Sequence, residues 1–73
     1  MKRIKLKKRR EELGLTQEDV AVQAKINRAS YANIENGKRN PSLLLATIIA
    51  EILKTDINIF FEYDVSIRHE RAV

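Results

Sequence analysis

The chain has 73 residues, 44% apolar and 33% charged, with no cysteine and a net charge of +4 at neutral pH. This is the mix of one small globular domain rather than a disordered chain, and it excludes disulfides and thiolate metal sites. No stretch reaches the roughly 18 apolar residues of a membrane span, and no apolar run follows the basic N-terminus as a signal peptide requires. A cytoplasmic protein is therefore expected.

The charge is uneven. The opening MKRIKLKKRR holds seven cations and no acid, whereas the rest of the chain carries more acids than bases. A polyanion would be met by this end and by a few chosen cations elsewhere. A solvated basic end that aids solubility is the alternative.

Taken in order, the first segment reads as a basic helix with apolar points at Ile4, Leu6 and Leu13, ending at Gly14, where glycine permits a left-handed cap. Thr16 opens a second helix, with Asp19 completing a capping box in place of the usual glutamate. Val20, Ala21 and Ala24 form its inward stripe. Lys25-Ile26 turns the chain, with Ile26 plugging the corner, and Asn27 caps a third helix that runs through Asn36 and stops at Gly37. In the loop KRNPS, Pro41 restricts Asn40 and Ser42 caps a fourth helix, LLLATIIAEILK. Asp56 caps a last short turn, INIFF.

The ending has a period of two. Phe61, Tyr63, Val65 and Ile67 alternate with polar residues, which suggests a strand. A strand needs a partner. The candidates are the alternating Arg3-Ile4-Lys5-Leu6 at the other terminus, or the same tail across a dimer. A loosely ordered extension is the alternative, and His69 belongs to this tail.

At about 100° per residue, Arg28, Ala32, Asn36, Ala29 and Asn33 share one side of the third helix, with Tyr31 and Ile34 nearly opposite. The second pair anchors the helix and leaves the first side for a groove. Arginine offers a fork to guanine, asparagine can bond adenine in two places, and alanine can approach a thymine methyl. A merely solvated polar face is the bland alternative. Gln17 at the start of the second helix, where free N–H groups attract phosphate, and Lys38 and Arg39 beyond the third favour DNA docking.

On the fourth helix, Ala46, Ile49, Ala50 and Leu53 gather on one side, and Leu44, Leu45, Ile48 and Ile52 on another. A helix apolar on two opposed sides is buried on both. A second copy of the chain is the expected cover, extended by Ile59. The tail folding back within one monomer is the alternative. With no cysteine, one peripheral histidine, and no nucleotide loop or metal-ligand cluster, neither an enzyme nor a cofactor is expected.

The segments LGLTQEDVA (13–21) and IENGKRNPS (34–42), at their spacing, make the chain resemble the Cro/C1-type helix-turn-helix regulators, the XRE family, over about residues 5 to 61. The resemblance implies an all-α, lambda-repressor-like five-helix bundle within a single domain spanning 1–73. It also implies homodimers on pseudo-palindromic double-stranded DNA, usually as repressors. An interaction module with a protein partner is the competing reading. By the same resemblance, Arg28, Ala29 and Asn33 are base-reading positions, with Ala32 added from the same side of the helix, while Gln17, Asn36, Lys38 and Arg39 contact phosphates, with the cap Asn27 added beside them. The resemblance also makes Arg10 and Glu35 a structural ion pair, whereas the expected dimer interface, Leu44, Leu45, Ile48, Ile52 and Ile59, rests on the second apolar stripe of the fourth helix. Lys25 stands where many relatives have a left-handed glycine, so either the turn differs or the lysine bears strain.

Overall fold

The computed structural model describes residues 2–61. They form α1 (Ile4–Glu12), α2 (Gln17–Ala24), α3 (Arg28–Glu35), α4 (Leu43–Ile52) and a closing 3-10 helix, Ile57–Phe61. The fold is all-α, with the fifth helical segment wound more tightly than an α-helix.

Each interior helix starts on a side-chain cap. The Thr16 hydroxyl accepts from the Asp19 N–H at 3.0 Å, and the Asp19 carboxylate accepts from the Thr16 N–H at 2.8 Å, closing the expected box. Asn27 caps α3 through the Ser30 N–H at 2.7 Å, and Ser42 caps α4 through the Leu45 N–H at 3.1 Å. Asp56 holds the last turn by accepting from the Asn58 N–H at 2.8 Å.

All four α-helices end in the same way. The chain turns left-handed just past the last turn, and the next two N–H groups bond back to carbonyls of that turn, the Schellman arrangement. The left-handed residues are Gly14, Lys25, Gly37 and Lys54. At α2, Lys25 N–H reaches Val22 O and Ile26 N–H reaches Ala21 O. The turn between α2 and α3 thus keeps the left-handed form, with Lys25 at φ 62° and ψ 40°. The lysine bears the strain.

The core gathers between these helices. α2 packs on α3 and α4, while α1 packs on α3 and the 3-10 helix, which also meets α4. Leu6, Val20, Tyr31, Ile34, Ile49 and Leu53 have no exposed surface, and Phe60 is 1% exposed. Ile26 is half-buried against this cluster, as a corner plug should be.

Two sequence expectations need correction. The fourth helix ends at Ile52 rather than running through Lys54, because Lys54 turns left-handed; of the apolar points on α1, Leu6 is fully buried and Ile4 is 64% exposed. Ile4, Lys5 and Leu6 lie in α1, so the N-terminal half of the expected strand pair is absent. Leu6 is buried in the core at helical spacing from buried Arg10, and this outweighs a short run of alternation. The other half, the tail from Glu62 with His69, lies outside the described residues.

On α4, the stripe Ala46, Ile49, Ala50 and Leu53 is buried as expected. The second stripe is less outward than a helical wheel implies. Leu45, Ile48 and Ile52 are half-buried against the core, and so is Ile59 of the 3-10 helix. Leu44 is 72% exposed, and Leu43, beside it at the start of the helix, is 73% exposed.

Candidate nucleic-acid interface

The anchoring of α3 decides which of its residues meet solvent. Tyr31 and Ile34 are wholly buried. Arg28, Ala29, Asn33 and Asn36 are exposed, and Ala32 is half-buried between the two sets. The eight-residue helix, with its cap Asn36, therefore shows a side with an arginine, two amides and small alanines.

Beneath α3 lies a charged network. Arg10 of α1 donates from Nε to Glu35 Oε2, from Nη2 to Glu35 Oε1 at 3.3 Å, and from Nη1 to the Leu15 carbonyl at 2.7 Å. The side chains are 9% and 3% exposed, so this is a buried two-point ion pair. Burial works against the Glu35 charge, but hydrogen bonds from Arg10 and Gln17 outweigh it and hold the carboxyl below its ordinary pKa. The hydrogen bond to Glu35 raises the Arg10 pKa against the opposing cost of burial. Tyr31 ends beside this pair. Its hydroxyl is buried with no partner in full hydrogen-bond geometry. Burial first, and then the Glu35 charge, push its pKa up, so it stays neutral.

Gln17 carries this network to the surface. Its Nε2 donates to Glu35 Oε1 at 3.1 Å, and its Oε1 lies 3.5 Å from Arg28 Nη1. Gln17 and Arg28 thus line one open cleft, together with Thr16 and Glu18. Beyond α3, Lys38 and Arg39 are exposed. Their backbone N–H groups both bond the Asn33 carbonyl, at 2.9 and 3.2 Å, and Arg39 Nη1 lies 3.4 Å from Ser30 Oγ. The structure therefore places Gln17, Arg28, Asn33, Asn36, Lys38 and Arg39 on α3 or at its two flanks. Asn27 is there too, with its carbonyl oxygen already used as a cap.

The basic N-terminus divides in a way the charge count did not show. Its three arginines turn to the protein, while Lys2, Lys5, Lys7 and Lys8 are exposed. Arg3, 9% exposed, donates to the carbonyls of Ile34 at 2.7 Å and Arg39 at 3.2 Å, and to Asn40 Oδ1 at 2.7 Å. Arg9 donates to the carbonyls of Leu53 at 2.9 Å and Lys54 at 3.0 Å, at the end of α4. Neither α3 nor α4 has a cation in its own last turn. Arginines from the start of the chain supply those cations at the negative ends of the two helices. One weak signal was present in the sequence: a planar fork with five donors suits several buried carbonyls, whereas an ammonium prefers water.

A helix-turn-helix whose second helix is braced from behind and polar in front is the architecture of a DNA-binding regulator. The helix-turn-helix family model matches residues 6–60, and the chain belongs to that family, the Cro/C1-type transcriptional regulators. Among its relatives, the uncharacterized HTH-type transcriptional regulator YqaF of Bacillus subtilis (strain 168) is 54% identical over 57 residues, covering 78% of this chain and 75% of its own. An HTH-type regulator of Archaeoglobus fulgidus is 36% identical over 62 residues, covering 85% and 89%. The control protein C.MunI of Mycoplasma sp is 54% identical over 41 residues, covering 55% of each chain. The family is not enzymatic. Among the described residues, no helix is long and apolar enough to cross a membrane.

Proposed function

We propose that this regulator is a repressor that binds a pseudo-palindromic operator as a homodimer. Arg28, Ala29, Ala32 and Asn33 read base edges in the major groove. Gln17, Asn27, Asn36, Lys38 and Arg39 fix the phosphates on either side. The observation that carries this reading is the division of α3, with Tyr31 and Ile34 wholly buried while Arg28, Ala29 and Asn33 stand exposed. Asn27 and Gln17 each keep amide hydrogens for phosphate oxygens after their internal bonds are made.

Leu44, supported by Leu45, Ile48, Ile52 and Ile59, is the surface on which a second copy would close. A twofold pair places two recognition helices one DNA turn apart, about 34 Å.

Selection of bound duplexes from a random pool tests the reading directly, because it returns sequence, symmetry and half-site spacing together. Arg28→Ala should then cost about 1–3 kcal/mol at one base pair per half-site and relax the preference there. Lys38→Ala should weaken every sequence alike and lower the salt slope by about one. An operator preference untouched by Arg28→Ala would overturn the assignment of the reading face.

A further inference from the structure

A recognition helix has to keep its far end and the following loop still if the phosphate contacts there are to hold. The end of α3 has four carbonyls without helical partners. Asn36 N–H takes Ala32 O, Lys38 and Arg39 N–H take Asn33 O, and Gly37 N–H takes Ile34 O at 3.2 Å. Glu35 O is left over. The Arg3 backbone N–H takes it at 2.7 Å. The Arg3 guanidinium adds a second bond to Ile34 O and crosses to Arg39 O and Asn40 Oδ1. Its carbon sits 5.9 Å from the centre of the Phe60 ring, so the fork lies against a core aromatic.

One residue, 31 positions before Ile34, thus closes the recognition helix and pins both sides of the segment that carries Lys38 and Arg39. We propose that Arg3 is a positioning residue for DNA binding. It fixes the loop after α3 so that the Lys38 and Arg39 cations meet the phosphate backbone, and it does so without touching DNA, because it is buried. This rests on the phosphate-contacting role given above to Lys38 and Arg39. Arg9 is the built-in comparison. It makes the same kind of arginine-to-carbonyl cap at the end of α4, away from the recognition helix.

The test measures the affinity of the full chain for the duplex selected from the random pool, across a range of salt concentrations. The variants are Arg3→Met, Arg3→Lys, Asn40→Ala and Arg9→Met, with thermal unfolding followed for each. Arg3→Met should lose at least tenfold in affinity. The slope of log K against log salt should fall by up to about 1.8, the value for two phosphate contacts at about 0.9 each. Base preference should be kept, and Arg3→Lys should recover part of the loss. Arg9→Met should lower the melting temperature and leave the slope unchanged. Asn40→Ala removes one anchor of the fork and should lower the slope part-way. It decides the matter if Arg3→Met does not fold. An unchanged slope in the folded Arg3 variants, or in Asn40→Ala where Arg3→Met does not fold, would overturn the proposal. Failure of the base-reading assignment appears elsewhere, as an operator preference that Arg28→Ala does not alter.

Discussion

Glu35→Leu removes the acid of the buried pair and leaves the Arg10 guanidinium enclosed. Arg10 then keeps only its bond to the Leu15 carbonyl, and Gln17 loses the acceptor that orients it. With side-chain exposures of 9% and 3%, solvent offers little replacement. Leaving one partner of such a pair uncompensated costs about 3–5 kcal/mol. A chain of 73 residues has a total stability of roughly 4–11 kcal/mol at 0.05–0.15 kcal/mol per residue. The variant should therefore lose about a quarter or more of its stability. Urea unfolding followed by far-ultraviolet circular dichroism measures this as a lower midpoint at unchanged slope. Removing both charges, as Arg10→Met with Glu35→Leu, should recover most of the loss, because no isolated charge is then buried. Recovery should be incomplete, since the Leu15 carbonyl loses its donor. A loss under about 1 kcal/mol for Glu35→Leu would show that the pair behaves as a solvated surface bridge, and the buried-network account of α3 would fail.

Lys25→Gly should stabilise the chain. Relief of about 1–2 kcal/mol of left-handed strain, less about 0.5–1 kcal/mol for added glycine flexibility, leaves a net gain of up to about 1.5 kcal/mol. Calorimetry should find the melting temperature raised; a fall would mean the turn holds lysine without strain. Because the folded-state pKa of Glu35 lies below its unfolded value of 4.5, its contribution is complete above that value and is lost as pH falls through the folded pKa. Melting temperature against pH should thus drop below about pH 4.5, and Glu35→Leu should flatten that limb; an equally steep limb in the variant would assign acid loss to other carboxyls. Leu44→Glu with Ile48→Glu should sediment as a monomer. A wild-type chain already monomeric at high concentration would reject the dimer.

The helix boundaries were legible because their causes are local. Thr16, Asn27 and Ser42 cap the N–H groups three residues ahead, and Gly14 and Gly37 supply left-handed ends, so a window of a few residues contains the whole interaction. The same holds for the anchored and open sides of α3, which follow from helical period alone. Lys25 was visible as a departure, but whether the turn would change or the lysine would bear the strain depended on how firmly α2 and α3 are held by their packing.

What the sequence by itself determined is where the interior helices begin and which stripe of each packs inward, since short-range hydrogen bonds and periodicity set both. Tertiary structure alone decided the fate of the basic N-terminus. Seven cations among the first ten residues look alike as charge, yet Arg3, Arg9 and Arg10 bond carbonyls and a carboxylate 5 to 45 residues away, while four lysines lie exposed on the surface. The reason is that a helix end exposes its orphan carbonyls in space, and only the folded chain determines which distant side chain stands within reach.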